Sequence, residues 1–214
     1  MMKTVRLWPV WCGIVMVLLM TGCSSEPPKR EKDSIGWSTC NELFGAKNID
    51  VLEDQMGEGQ LRIEGESYPV EDLTAALTSK AHDWEPGSFV HMGGESPCRI
   101  SISDYGKRFT SDVRWASFPV VDGNESYEWR GAAGEVIATV RDGRRLELVF
   151  PCKVSGSHKQ QEKDLPLGVS VWGKGMPKFD ATLRQKMASA FARKLSTELG
   201  CVNKPDIPRD ITVA

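Results

Sequence analysis

The chain has 214 residues, of which 40% are hydrophobic and 26% are charged, and its formal net charge is −2 at pH 7. This length suits one ordinary domain that can bury a substantial core. The small acidic surplus argues against a nucleic-acid-binding protein, because such proteins present a basic surface.

The first 20 residues have the layout of an export signal. A short cationic segment contains Lys3 and Arg6, and an apolar run of fourteen residues extends from Leu7 to Met20. A helix needs about 20 apolar residues to cross the hydrocarbon core of a bilayer. A signal peptide is therefore favoured over a permanent transmembrane span.

Small residues and a cysteine follow the apolar run as Met20-Thr21-Gly22-Cys23. This motif resembles the lipobox of bacterial lipoproteins, although Met20 stands where that family most often has Leu. The resemblance implies that Cys23 receives a diacylglyceryl group and that the signal peptide, residues 1–22, is removed. It also implies a protein held by lipid on the extracytoplasmic face of the cell membrane, where two or three acyl chains give a lasting anchor.

Residues 23–36 contain the polar sequence SSEPPKREKDSI, which has two prolines and one large apolar side chain. Such a segment cannot bury itself, so we expect a flexible tether before a single extracytoplasmic domain over 37–214. After cleavage, 25 basic and 29 acidic side chains remain, which gives a formal charge of −4. Nucleic acid is therefore not an expected partner.

The predicted domain contains four cysteines, namely Cys40, Cys98, Cys152 and Cys201. An even number in an oxidising compartment predicts two disulfide bonds. Spacings of about fifty residues do not resemble the close-set ligands of a zinc site. Of the three possible pairings we expect Cys40 with Cys201 and Cys98 with Cys152, because the first two lie at the ends of helix-like segments and the other two at strand ends.

Helical periodicity is clearest over 71–84 and from Asp180 to Leu199. In each segment apolar residues recur at spacings of three and four, which places them on one stripe of a helix. Asp180 is a good N-cap, and Gly200 is typical of a residue that ends a helix.

Between these two helices the sequence is strand-like. The Asp142-Gly143 pair predicts a two-residue hairpin turn that sets Ile137 opposite Leu148 and Thr139 opposite Leu146. Helices at both ends and hairpin-linked strands between them predict an α+β fold, in which an antiparallel sheet has helices packed on one face. The expected strands in this region cover 98–103, 113–118, 135–150 and 167–172, and a further strand is expected over 60–64, before the first of the two helices.

No nucleotide-binding, serine-hydrolase or zinc-protease motif occurs in the sequence. The nearest approach to a site is AHDWEPGSFVHMGGE over 81–95, which places His82, Asp83 and His91 beside glycines. Two histidines with carboxylates can bind a metal or transfer protons, so these three residues are the candidate ligand or metal site. The alternative is ordinary polar residues at a helix end, and we expect no cofactor.

Tryptophans and cations offer two further candidates. We expect Trp84 and Trp115 in the core, whereas Trp129 could serve the core or stack, with Tyr127, on a sugar ring. A group of basic residues near the last helix is expected on its solvated face, with contact to anionic wall polymer or lipid headgroups as the alternative. This group comprises Lys174, Lys178, Arg184, Lys186, Arg193 and Lys194.

Two functional hypotheses follow. The first is a non-catalytic binding or structural module of the cell envelope, anchored through Cys23, whose partner is a cell-wall polymer or an envelope protein. The alternative is an envelope hydrolase whose active-site residues converge from distant positions. A binding module predicts an exposed patch of aromatic residues or of one charge sign, whereas an enzyme predicts a cleft where His82 or His91 meets a carboxylate.

Overall fold

A computed structural model describes residues 34–65, 68–88, 94–102, 106–116, 129–176 and 179–211. The signal peptide, the lipobox and most of the tether fall outside these ranges. Within them the chain forms five helices and one seven-stranded antiparallel sheet, which confirms the predicted α+β fold.

The first helix begins at Ile35, two residues before the predicted start of the domain. The helices are α1 (Ile35–Phe44), α2 (Ala46–Met56), α3 (Val70–His82), α4 (Gln161–Asp164) and α5 (Ala181–Glu198). The strands are β1 (Leu61–Ile63), β2 (Arg99–Ile102), β3 (Lys107–Trp115), β4 (Arg130–Ala133), β5 (Val136–Arg141), β6 (Arg145–Phe150) and β7 (Leu167–Lys174).

The strand order across the sheet is β1-β2-β3-β7-β6-β5-β4. Strands β1 to β3 and strands β4 to β6 each form a three-stranded meander, in which sequential strands are neighbours. Strand β7 comes last in sequence and pairs antiparallel with β3 on one side and β6 on the other. It therefore joins the two meanders at the centre of the sheet.

One face of the sheet is covered by helices. Helix α5 packs on β6 and β7, and α1, α2 and α3 contact α5 in turn. The rings of Phe44 on α1 and Phe109 on β3 meet edge-on at 5.4 Å, and Phe44 lies 5.2 Å from Phe191 on α5. All three rings are fully buried, so this aromatic cluster forms the centre of the core.

Local sequence explains where the two long helices begin and end. The Asp180 carboxylate accepts a 2.7 Å hydrogen bond from the backbone N–H of Leu183 and caps α5, as predicted. Gly200 follows α5 with a φ of +59°, a conformation that favours glycine. Helix α3 buries Leu73, Leu77 and Ala81 on its predicted stripe. Within the described ranges, no helix has both the length and the apolarity needed to cross a bilayer.

The predicted register of the β5–β6 hairpin is wrong by one residue. Asp142 and Gly143 both adopt positive φ, as the turn prediction requires, but Arg141 pairs with Arg145 and leaves three residues in the loop. Ile137 therefore lies opposite Val149, and Ala138 opposite Leu148. A shift of one residue moves each side chain of a strand to the other face, so Ile137 lies on the face away from the helices.

Two disulfide bonds are present, but the predicted pairing is wrong. Cys40 bonds to Cys98 and Cys152 to Cys201, with Cα atoms 5.2 Å and 5.0 Å apart. Cys98 precedes β2 and Cys152 follows β6, and two other strands lie between β2 and β6. Three strand spacings amount to about 14 Å, which is too far for a disulfide. Each bridge instead ties a helical segment to a strand end.

Candidate functional site

The structure describes two members of the predicted ligand or metal site, His82 and Asp83. His82 and Asp83 are both exposed at the end of α3, and His91 lies outside the described residues. The Nε2 atom of His82 lies 2.8 Å from the Ser155 carbonyl oxygen. Because a carbonyl oxygen only accepts, Nε2 carries the ring proton and donates a hydrogen bond to this oxygen. Asp83 accepts a 3.2 Å hydrogen bond from Ser79. The His82 contact joins α3 to the loop before α4, and the Asp83 contact is local to the C-terminal end of α3, so both contacts support the local fold.

Metal binding finds no support in the described part of the chain, where no three His, Cys, Asp or Glu side chains are grouped to hold an ion. A shallow depression of about 520 Å³ includes His82, Asp83, Glu71 and Glu198 in its lining. It opens widely to solvent on the outer side of α3.

The predicted core tryptophans are confirmed. Trp84 is 5% exposed and Trp115 is 3% exposed, and the indole N–H of Trp115 donates a 2.8 Å hydrogen bond to the Leu77 carbonyl oxygen. Trp129 is half-buried, and Tyr127 lies outside the described residues.

Lys178 lies outside the described residues, and the other basic residues predicted on the solvated face of the last helix do not form one surface. Arg184 is buried on α5 and donates a 2.6 Å hydrogen bond to the Gly143 carbonyl oxygen, and this burial lowers the pKa of its guanidinium. Lys194 forms ion pairs with Glu42 and Glu198, and its hydrogen bond to Glu198 is the main cause of its raised pKa. Lys174 lies at the end of β7, on the sheet.

A different group of cations does form one surface, on the sheet face that points away from the helices. We call this surface the polar face. Side chains alternate between the two faces along each strand. On β3, Phe109, Val113 and Trp115 point to the helices, and Thr110, Asp112 and Arg114 point to the polar face. The charged members of the polar face are Arg62, Arg99, Arg108, Arg114, Arg141, Arg145 and Lys174, with Glu64, Asp112 and Glu147.

The cross-strand register arranges these charges in rows. In one row Arg99, Thr110, Trp172, Arg145 and Arg141 lie side by side on five adjacent strands. The next row carries the carboxylates Asp112 and Glu147 on either side of Ser170. Cations therefore lie on both sides of the row that holds the acids.

The carboxylates of the polar face hold several arginines in place. Arg108 Nε lies 2.9 Å from Glu64 Oε2, and Arg145 lies 3.4 Å from Asp112. Glu147 is the most buried of the three acids, at 4% side-chain exposure, and receives Arg114 at 2.8 Å and Arg141 at 3.1 Å. These pairs fix the guanidinium groups while 40% or more of Arg108, Arg114 and Arg145 stays exposed.

Electrostatics at the edge of the polar face favour the charged form of Glu64. A hydrogen bond with Ser101, and then the charge of Arg108, holds the pKa of this carboxyl below its usual value of 4.5. Glu64 is therefore ionised at neutral pH and keeps Arg108 oriented along the sheet.

Two buried donors at the centre of the polar face have no hydrogen-bond acceptor among the described residues. They are the Thr110 hydroxyl and the Trp172 indole N–H, on directly opposite residues of β3 and β7. Thr110 is only 2% exposed, and the guanidinium of Arg145 lies over the Trp172 ring, 5.5 Å from its centroid. Unpaired buried donors are rare, so an acceptor oxygen from outside the protein would be stabilised here.

Sequence reasoning missed the polar face, although a signal for it exists. Residues 107–115 read KRFTSDVRW, in which the polar residues Arg108, Thr110, Asp112 and Arg114 alternate with more buried ones. The expected strand begins at Val113 and therefore leaves out most of this alternation, so it does not predict a polar face shared with β6 and β7.

Comparison with protein-family models, with curated proteins and with solved structures finds no match to this chain. The functional argument therefore depends on the residues of the chain itself.

Proposed function

We propose that this protein is a lipid-anchored, extracytoplasmic binding module of the bacterial cell envelope, and that it binds its partner through the polar face. One observation carries the binding role. Among the described residues, helices cover one face of the sheet, and the other face presents half-exposed guanidinium groups held in fixed positions by buried or half-buried carboxylates. Fixed, partly exposed arginines favour recognition, because little side-chain entropy is lost when a partner binds.

The proposed location depends on the start of the chain and on the cysteines. The lipobox-like sequence Met20-Thr21-Gly22-Cys23 follows an export signal. The two disulfide bonds of the domain are typical of proteins that fold in an oxidising compartment outside the cytoplasm. Both features support export, and Cys23 supplies the attachment point for lipid.

The anchor is tested by mass spectrometry of the full chain produced in a bacterial host and recovered from the membrane fraction. We expect a mature N-terminus at Cys23 that carries a diacylglyceryl group. The Cys23→Ser variant should lack the lipid and leave the membrane fraction. An unmodified Cys23 thiol in the wild-type protein, or an intact segment 1–22, would contradict the proposed anchor.

The binding surface is tested by photo-crosslinking on intact cells. A photoreactive amino acid is placed at Arg62 or Lys174, which are exposed positions of the polar face, or at Lys47 or Lys186, which are exposed on α2 and α5. We expect higher-mass adducts from the two sheet positions and few from the two helix positions. Equal adduct yields at all four positions would show that the polar face is not the binding surface.

A further inference from the structure

The charge of the polar face is opposite in sign to that of the whole chain. The described residues of this face include seven cations and three carboxylates, a formal surplus of four positive charges, while the chain carries −2. Such a local field attracts anions and repels cationic partners. We infer that the polar face binds an extended polyanion of the envelope, a polymer with phosphate or carboxylate groups along its chain. This inference names the partner and rests on the proposed function.

The dimensions of the cationic array favour a polymer over a single small anion. Arg99 and Arg145 are three strand spacings apart, or about 14 Å, and Arg108 and Arg114 are six residues apart on β3, or about 20 Å. The array therefore spans several charges of an extended chain. Two cavities in the described part of the chain, near Phe179 and near His82, are lined by residues that do not belong to the polar face.

The side-chain chemistry suits oxyanions. A guanidinium presents paired N–H donors that match the two oxygens of a carboxylate or phosphate group. At the centre of the array, the Thr110 hydroxyl and the Trp172 N–H lack an acceptor among the described residues. An oxyanion bound in this row, between Arg99 and Arg145, would bring an acceptor oxygen to these donors.

A membrane surface fits the polar face less well. Peripheral proteins usually add apolar side chains that enter the bilayer. Four large apolar residues of the described chain are exposed, namely Ile35, Val51, Val140 and Val202. None of them lies on the polar face, because Val140 pairs with Leu146 on the helix-covered side and the others are outside the sheet. The test must therefore distinguish binding to lipid headgroups from binding to a polymer.

The test measures binding of two anionic polymers, polyphosphate and polygalacturonate, to the full chain in a neutral detergent, with neutral dextran as the reference. We expect both anions, or one of them, to bind and dextran not to bind. Raising the ionic strength from about 50 mM to about 300 mM should weaken binding, because salt screens exposed charges. A preference between the two polymers identifies phosphate or carboxylate as the favoured group.

Two triple variants each lose three positive charges. Comparing them distinguishes an effect of the polar face from an effect of net charge. Arg62→Gln/Arg99→Gln/Lys174→Gln removes three cations of the polar face and leaves the ion pairs of Arg108, Arg114 and Arg145 intact. We expect its affinity for the polyanion to fall by about fivefold or more. The control, Lys47→Gln/Lys163→Gln/Lys186→Gln, removes three exposed lysines elsewhere and should stay within about twofold of wild type.

Three outcomes would overturn the inference. The first is an equal loss of affinity in the two variants, which would make net charge the cause. The second is no binding of either polymer to the wild-type chain while the cross-links at Arg62 and Lys174 persist, which leaves the proposed function intact with a partner of other chemistry. The third is binding to phosphatidylglycerol vesicles that depends on the same cations while the polymers do not bind. Thermal unfolding of each variant checks that the fold is retained.

Discussion

Phe109 and Thr110 are neighbours on β3, and they show how differently the two faces of the sheet are built. Phe109 is fully buried against Phe44 and Phe179 on the helix-covered face. Thr110 is equally buried on the polar face, but it lies among charged side chains and its hydroxyl has no acceptor in the described residues. Phe109 is buried by aromatic packing, whereas Thr110 lies between Arg99 and Trp172 in its cross-strand row.

This difference separates stability from recognition. Apolar packing contributes roughly 25 cal/mol per Å² of surface removed from water, whereas half-exposed ion pairs contribute about 1 kcal/mol or less. The helix-covered face can therefore supply most of the stability of the fold. Charges on the polar face can change with only a small loss of stability. The following predictions test that division, from the largest expected effect to the smallest.

Removing a core ring should have the largest effect. Phe109→Ala deletes a fully buried ring that contacts two other rings, so we expect the free energy of unfolding to fall by about 3 to 5 kcal/mol. Urea unfolding followed by circular dichroism measures this loss. A loss below about 1 kcal/mol would show that the aromatic cluster is not the main support of the fold.

Removing either disulfide should have the second-largest effect on stability. Cys40→Ala/Cys98→Ala and Cys152→Ala/Cys201→Ala open loops whose ends are 58 and 49 residues apart. Because these separations are similar, loop entropy predicts similar losses of roughly 2 to 4 kcal/mol for the two double variants. Thermal and urea unfolding measure both. Peptide mapping without reduction gives the pairing directly, and a Cys40–Cys201 peptide would refute it.

The acid at the centre of the polar-face ion pairs should matter for stability despite its location. Glu147→Gln keeps the shape but removes the charge that holds Arg114 and Arg141, and Glu147 is almost fully buried. We expect a loss of about 1 to 3 kcal/mol in unfolding free energy. Glu198→Gln, at an exposed pair with Lys194, serves as the matched control and should change stability by less than about 0.5 kcal/mol.

Replacing the unpaired hydroxyl should change the sign of the effect. Thr110→Val removes a buried donor without a partner, so we expect stability to rise by up to about 1 kcal/mol in the absence of ligand. Ser111→Ala, on the adjacent residue, removes a hydroxyl that bonds to the backbone of Cys98 and should lower stability by about 1 kcal/mol. A clear loss for Thr110→Val would mean that its hydroxyl is bonded in solution.

The smallest effect concerns pH. Because the pKa of Glu64 is lowered in the folded protein, its contribution to stability is fully present above 4.5 and is lost as the pH falls through the lower folded value. Glu64→Gln should therefore be less stable than wild type at pH 7, and the difference should narrow as the pH falls below 4.5. Urea unfolding of both proteins over this pH range measures the difference. A difference that does not change with pH would assign the effect to packing and not to charge.

Sequence periodicity predicted the helices well and the strand register less well. Helices α3 and α5 follow from apolar spacing and, for α5, from the Asp180 cap, because these signals are local. The hairpin register depended on Arg144, one additional loop residue that the Asp142-Gly143 signal does not reveal. The disulfide pairing depended on strand order, which is a property of the whole sheet and is not encoded near any single cysteine.

The candidate sites show the same limit. His82 and Asp83 are candidates by residue type, but His82 contacts the Ser155 carbonyl oxygen, 73 residues away, and neither residue type nor spacing predicts that contact. The polar face combines residues from six strands, and its rows exist only once β7 lies between β3 and β6. Alternation within β3 could have predicted a polar strand face, but not that arginines of β6 and β7 would lie beside it.

The disulfide connectivity has a consequence for how the protein is made. Cys40 and Cys98 are consecutive cysteines of the domain, and so are Cys152 and Cys201, so the two covalent loops neither overlap nor enclose one another. A chain that emerges with its N-terminus first presents Cys40 and Cys98 before either remaining cysteine. An oxidant that joins each new thiol to the one before it would produce the native pairs directly, and maturation would need no disulfide isomerase.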